Sequence, residues 1–215
     1  MQRFKLFMLD GSLSKSDLIL SIKNWKGSSN AKINIHEDDT NQIFFEYIER
    51  ILKKEEYELA DGTTQEIETA VYFRISVVIL LSDINFLYIK NPPRETRYTF
   101  EIVQSILASV IKIKPVNIDL NALMNNPGDV YNIMAVTASN IQYTSDVLAK
   151  ATLITKSDLS KQAYDTFLKY SHVIDVVKLK GSGFSFEVNR VGTIKSNPED
   201  ILTALIYLNK FFLLE

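Results

Sequence analysis

The chain contains no cysteine. That removes disulfides, thiolate nucleophiles, iron–sulfur clusters and thiolate zinc sites together. Glycine is scarce as well, at seven of 215 residues. None of the glycine-dependent signatures occurs: there is no GxxxxGK[ST] phosphate loop, no GxGxxG and no GxSxG, and the zinc motif HExxH is missing too. Gly181-Ser182-Gly183 is the one local glycine cluster, and it lies between two strand-like runs, where a hairpin turn accounts for it. No helix start follows it, so the backbone N–H cradle that phosphate needs is not expected there. Long apolar runs are missing. Stretches such as Val77–Leu81 reach five residues, against about 20 for a bilayer span. The N-terminus carries Lys5 and Asp10 within its apolar stretch, so no secretory signal is expected. Charge of one sign is also lacking: 24 basic residues face 26 acidic ones, net −2. Bulk attraction to nucleic acid is therefore not expected, although a local basic stripe is compatible with it. A chain free in the cytoplasm, with no membrane contact, is the expectation.

What is present is pattern. Residues 2–9 read as a strand closed by the turn pair Asp10-Gly11. Residues 14–25 read as a short helix, with Ser14 or Ser16 as its cap and Leu18, Ile19, Ile22 and Trp25 at helical spacing. Ala31–His36 alternates as a strand. Ile43, Phe44, Tyr47, Ile48 and Ile51 then fit a helical stripe over residues 40–54. The turn Ala60-Asp61-Gly62-Thr63 precedes a long β-rich run, Thr69–Leu81, which Ser82-Asp83 reverses into Asn85–Lys90. Pro93 suits the first turn of a helix over 94–111. Further on, Pro115–Leu120, Tyr131–Tyr143 and Leu148–Thr155 read as strands, and residues 159–170 as a helix. Val173–Lys180 and Phe184–Val188 form a hairpin, Thr193–Lys195 a return strand, and residues 198–213 the last helix.

Two stretches echo each other, Ile89-Lys90-Asn91-Pro92-Pro93-Arg94-Glu95 and Ile194-Lys195-Ser196-Asn197-Pro198-Glu199-Asp200. Each follows a strand-like run and opens a helix with acids in its first turn. Asn91-Pro92 and Asn197-Pro198 are thus expected to occupy equivalent turns, extended before proline. The pattern predicts an α+β fold: a largely antiparallel sheet from hairpins, helices packed on one face, and two similar strand-strand-helix halves. The chain forms a single compact unit over residues 1–215, or two intimately packed halves, 1–114 and 115–215. Over residues 69–111 and 173–213 this order resembles the half-repeats of folds in the style of the TATA-binding protein. The resemblance is topological and carries no functional motif.

Chemistry-bearing residues are few. His36, Glu37, Asp38 and Asp39 form the densest set of hard ligands, suited to magnesium or manganese. They equally suit a solvated loop whose acids complement the dipole of a helix beginning near residue 40. His172 stands where a helix C-terminus favours a cation. Glu46, Glu49, Glu55, Glu56 and Glu58, interleaved with Arg50, Lys53 and Lys54, suit a solvated helical face with i,i+4 pairs. Lys178, Lys180, Arg190 and Lys195 are the candidate nucleic-acid contacts, with Phe184 and Phe186 interleaved as stacking platforms. Alternation offers the other assignment, phenylalanines inward and lysines in water. No catalytic constellation and no cofactor is implied. The expectation is a non-catalytic interaction module, a subunit or accessory protein with a protein partner or self-association. Asn-, Ile- and Lys-rich usage associates it with a cytoplasmic prokaryotic or mobile-element complex. The alternative is a nucleic-acid-binding protein or metal-dependent nuclease that uses the basic C-terminal hairpin.

Overall fold

A computed structural model describes residues 1–11, 14–39, 41–82, 85–93, 96–108, 110–126, 128, 131–156, 158–159 and 173–213. Among these lie four α-helices and thirteen strands, sheet-dominated and largely antiparallel. Residues 160–170 of the helix expected at 159–170, and His172, fall outside the described residues. The chain divides into two compact units, Met8–Ile113, and Lys114–Glu215 together with Met1–Phe7. The first strand, β1 (Gln2–Asp10), contributes to both.

In the unit Met8–Ile113, Ser14 caps α1 (Lys15–Asn24) by accepting from the Asp17 N–H, the role its type and place predict. Strands β2 (Ala31–Asp39), β3 (Gln42–Glu58), β4 (Thr64–Leu80) and β5 (Phe86–Lys90) follow in antiparallel neighbour pairs. The helix α2 (Thr96–Leu107) completes the unit. The largest departure from the sequence reading is β3, a 17-residue strand where residues 40–54 predict a helix. Buried Ile43, Phe45 and Tyr47 alternate with half-buried Phe44 and Glu46, which is period 2. The β4 ladder pairs every residue from Gln42↔Leu80 to Glu58↔Thr64. The helix propensity of Glu, Arg, Lys and Leu is a weak prior beside so complete a ladder.

Both helices reach the odd-numbered face of β3 and β4. Trp25, just after α1, meets Tyr47 edge-on at 5.7 Å. From α2, Tyr98 lies 5.5 Å from Phe73 and its hydroxyl donates to Glu49 at 2.8 Å. The Ser21 hydroxyl donates to the Ile106 carbonyl, joining the helices. Leu18, Ile22, Ile75, Val77, Leu87, Val103 and Ile106 are buried in this unit.

The chain passes through β6 (Lys112–Pro115) and β7 (Asn117–Ile118) into α3 (Leu120–Asn125), capped by Asp119. Strands β8 (Asn132–Thr144), β9 (Val147–Ile154), β10 (Val173–Lys180), β11 (Ser185–Asn189) and β12 (Thr193–Ser196) follow. In this unit the sheet order is β1–β12–β11–β10–β8–β9, with antiparallel neighbours throughout. The expected last helix is broken up: a 3-10 turn (Pro198–Asp200), α4 (Ile201–Leu208), a second 3-10 turn (Asn209–Phe211) and β13 (Phe212–Leu213). Pairing of Phe212 with Ile118 takes up the residues a longer helix would use.

The Asn-Pro echo is not one backbone conformation. Asn91 sits in the left-handed region at φ 45°, whereas Asn197 is extended at φ −69°, ψ 151°. Asparagine tolerates the left-handed region because its short amide can bond locally, so the same dipeptide closes two different turns.

Candidate interaction surfaces

Hairpin β10–β11 separates its side chains cleanly. Val177, Leu179, Phe186 and Val188 are buried, and Lys178 and Lys180 are exposed. Phe186 is fully buried and belongs to an aromatic cluster, 6.0 Å from Tyr131 and 6.0 Å from Tyr207. Half-buried Phe184 stacks on Phe186 and meets Tyr131 edge-on at 5.5 Å. Burial pushes the Tyr207 hydroxyl up, with the neighbouring Tyr131 adding to it, and burial raises Tyr131 as well. Phe184 and Phe186 therefore serve the interior, on the face opposite the lysines.

Cross-strand register extends the polar face. Lys178 stands opposite Glu187, Glu187 opposite Lys195, and Lys195 opposite Arg3, one row over four strands. Lys180 and Lys5 share the face by alternation, each two residues from the row but on opposite flanks of it. The Lys195 ammonium meets the Glu187 carboxylate at 2.6 Å. Lys5 donates to the Val191 carbonyl, and partial burial lowers the pKa of its ammonium. Arg190 does not join this row. It sits at the turn after β11, 3.9 Å from Asp175, which Lys150 also approaches at 3.8 Å. Of the four predicted contacts, then, Lys178, Lys180 and Lys195 share a face and Arg190 is placed elsewhere. Arg3 and Lys5 stand some 190 residues away in the sequence and join the row only through the pairing of β1 with β12. Their period-2 spacing within the opening strand was the available signal.

The second surface is the far end of hairpin β3–β4. From Ile51 to Tyr72 every residue is exposed, on both faces of a two-stranded ribbon. Ile51 stands opposite Val71, Glu55 opposite Ile67, and Tyr57 opposite Gln65. These odd positions continue the face that α1 and α2 cover nearer the body, yet Ile51, Tyr57, Ile67 and Val71 are 38–47% exposed. The even face carries Leu52, Ala70 and Tyr72 nearer the body and Lys54, Glu56, Glu66 and Glu68 beyond them, with Lys54 bridging to Glu66 at 2.6 Å. The expected helical face of Glu46, Glu49, Glu55, Glu56 and Glu58 is thus distributed over a strand. Its partners lie across the ladder rather than four residues along. Gly62 at φ 80° closes the ribbon.

The acidic stretch at 36–39 is not a helix N-terminus. Its backbone belongs to β2, and Asp39 pairs with Gln42 at the hairpin end. His36 is exposed and stacks on Phe44 at 5.1 Å. Among the described residues, no three histidine or acidic side chains gather as a metal site. No helix of the described residues is long and apolar enough to cross a membrane. Compared with protein-family models and with curated proteins, the sequence matches none.

Proposed function

We propose that this chain is a non-catalytic interaction module, a subunit or accessory protein of a cytoplasmic prokaryotic or mobile-element complex, and that the β3–β4 ribbon is its docking arm. One observation carries this reading: Ile51, Tyr57, Ile67 and Val71 lie exposed on one face of the ribbon, among Lys53, Glu55, Gln65 and Thr69, beyond the reach of α1 and α2. An isolated two-stranded ribbon is marginally stable in water, and three strands or a packed helix are normally needed. A 17-residue pair of strands whose outer half has neither suits an element that is completed by a partner. The test is affinity purification from the native host with wild type and an Ile67→Asp, Val71→Asp variant. Specific partners lost in the variant support the arm; partners retained unchanged overturn it.

A second reading keeps the Lys178, Lys180, Lys195 and Arg3 row as a nucleic-acid contact, through phosphate neutralisation alone. Burial of Phe186 takes away the stacking that single-strand binding normally adds. Neither reading includes hydrolysis. With magnesium or manganese, DNA, RNA and nucleotides are expected to survive incubation. Cleavage abolished by Asp38→Ala with Asp39→Ala would reverse that. The recurring order of hairpin, Asn-Pro and helix, β4–β5–α2 in one unit and β11–β12–α4 in the other, supports two versions of one strand-strand-helix plan.

A further inference from the structure

We infer that the partner of the arm is a second copy of this chain, and that its seat is the lysine-bearing face of the partner's β10–β11–β12–β1 sheet, the exchange being reciprocal. This rests on the arm being a docking element, as proposed above. Two arguments choose the occupant, one of charge and one of area.

The charge argument starts from segregation along the sequence. Between residues 50 and 68 the arm carries six acidic side chains, Glu55, Glu56, Glu58, Asp61, Glu66 and Glu68, against three basic ones. The sheet face carries Lys178, Lys180, Lys195, Arg3 and Lys5 around Glu187. In a chain whose net charge is only −2, the arm thus has an excess of acid and the sheet face an excess of base, and the two surfaces attract between copies. The arm's apolar face can settle on this seat because lysine methylenes cover apolar surface while the ammonium reaches outward. A two-stranded ribbon is about 10 Å across, slightly more than the Debye length of about 8 Å at physiological salt, so acids on its far face act through it at reduced strength, while Glu55 on the seated face acts directly. Tyr57 on the seated face adds a ring for a lysine to approach.

Area decides between reciprocal exchange and arm lying against arm. Eight paired rungs, from Ile51↔Val71 to Glu58↔Thr64, make a ribbon about 27 Å long and about 10 Å wide. Laid flat, it buries on the order of 600 Å² counting both partners, which is the size of an incidental lattice contact. An arm-to-arm pairing has only that one contact. Reciprocal seating has two, about 1,200 Å² in all, the lower edge of a specific interface. Closed two-fold exchange is also the commonest symmetry of soluble homo-oligomers.

The experiment is sedimentation equilibrium across concentration, at about 50 and about 500 mM salt. Wild type should dimerise reversibly and weaken at high salt. Glu56→Lys with Glu68→Lys makes the arm basic, and Lys178→Glu with Lys180→Glu makes the β10–β11 part of the seat, around Glu187, acidic. Each variant alone should lose at least tenfold in association constant, because repulsion across the ribbon then replaces attraction. An equimolar mixture should recover the dimer, since each arm then finds an opposite seat on the other variant. All four positions are exposed, and unchanged circular dichroism, with Tm compared at concentrations where wild type is also monomeric, verifies folding. A monomer at every concentration overturns the inference. So does dimerisation lost with the arm variant and untouched by the seat variant, the signature of arm against arm. A monomer whose arm variant still loses host partners would sink self-association and leave the docking arm standing. A monomer that binds labelled single-stranded DNA through Lys178 and Lys180 overturns it in favour of nucleic acid.

Discussion

Hairpins β10–β11 and β3–β4 are written in the same alternating pattern, and they end in opposite conditions. In β10–β11 the apolar side chains, from Val177 to Phe186, close on α3, α4 and an aromatic cluster. In β3–β4 the alternation continues from buried Phe45 and Tyr47 to exposed Ile51, Tyr57 and Ile67 along one face. Period 2 says which side chains share a face. It does not say how far the covering helices extend, and that is a matter of where α1 and α2 begin and stop. One hairpin is covered within the chain, and the outer half of the other is not.

The widest separation should come from truncation. Phe186→Ala removes a fully buried ring from the Tyr131–Tyr207 cluster and should cost about 3–5 kcal/mol. Ile67→Ala, on the arm, should stay within about 1 kcal/mol in the monomer. Urea unfolding with a constant m-value is the measurement. Similar losses at both positions would mean that the arm is packed in solution, and the comparison would fail.

Two turn glycines sharpen the same contrast. Gly192, at φ 71°, would place a Cβ 2.6 Å from the Val116 carbonyl. Gly62, at φ 80°, meets nothing within 4 Å. Both positions ask for left-handed backbone, which costs a non-glycine residue about 1–2 kcal/mol; only Gly192 adds a backbone collision. Gly192→Ala should therefore cost about 2–4 kcal/mol and Gly62→Ala about 1 kcal/mol. Thermal melts of the two variants, read against wild type, test the order.

Alkaline titration separates the regions more gently. Burial raises Tyr207 above its usual value of 10.0, so the folded chain keeps that proton longer than the unfolded chain does. The stability this represents is complete below pH 10 and is lost as pH climbs through the raised folded value. Tyr207→Phe should flatten the alkaline fall. Tyr57 is also raised, by its bond to Glu55, but it lies in water on the arm, and Tyr57→Phe should leave the stability curve unchanged. Equal flattening by both would contradict the assignment of Tyr57 to solvent.

Much of the architecture was legible because its cues are local. The Ser14 cap, the turn at 60–63, the β10–β11 hairpin and the inward phenylalanine Phe186 all follow from residue type and period. The β3 strand was not. Ile43, Tyr47 and Ile51 fit a helix at i,i+4 as well as an odd-numbered strand face. The choice was made by β4, whose pairing with β3 the sequence does not announce. That one misreading also concealed the arm, since a helix over 40–54 leaves no long hairpin to protrude. The basic row was half visible: Lys178, Lys180 and Lys195 are near neighbours in sequence, while Arg3 joins them only through the register of β1 with β12. Arg190, adjacent in sequence, turns to Asp175 instead.

The smallest expected difference lies in two ion pairs of equal length. Lys195–Glu187 on the sheet face and Lys54–Glu66 on the arm both measure 2.6 Å. Distance alone makes them equal in Coulomb energy, and exposure separates them. Side-chain exposure is 50% and 30% in the first pair against 66% and 51% in the second. Water and salt screen the second more, and two long side chains on a free ribbon lose more rotamer freedom in meeting. Double-mutant cycles should give a coupling of about 0.5–1 kcal/mol for the sheet pair and about 0–0.5 kcal/mol for the arm pair, both shrinking as salt rises. Because Lys195 is flanked by Arg3, removing Glu187 alone should cost more than removing Lys195 alone: the loss of the carboxylate brings like charges together. A larger coupling on the arm than on the sheet would show the ribbon to be held in one geometry, with its charges shielded from water. That is the state expected of an arm already seated on a partner, so the cycle is best measured at concentrations where the chain is monomeric.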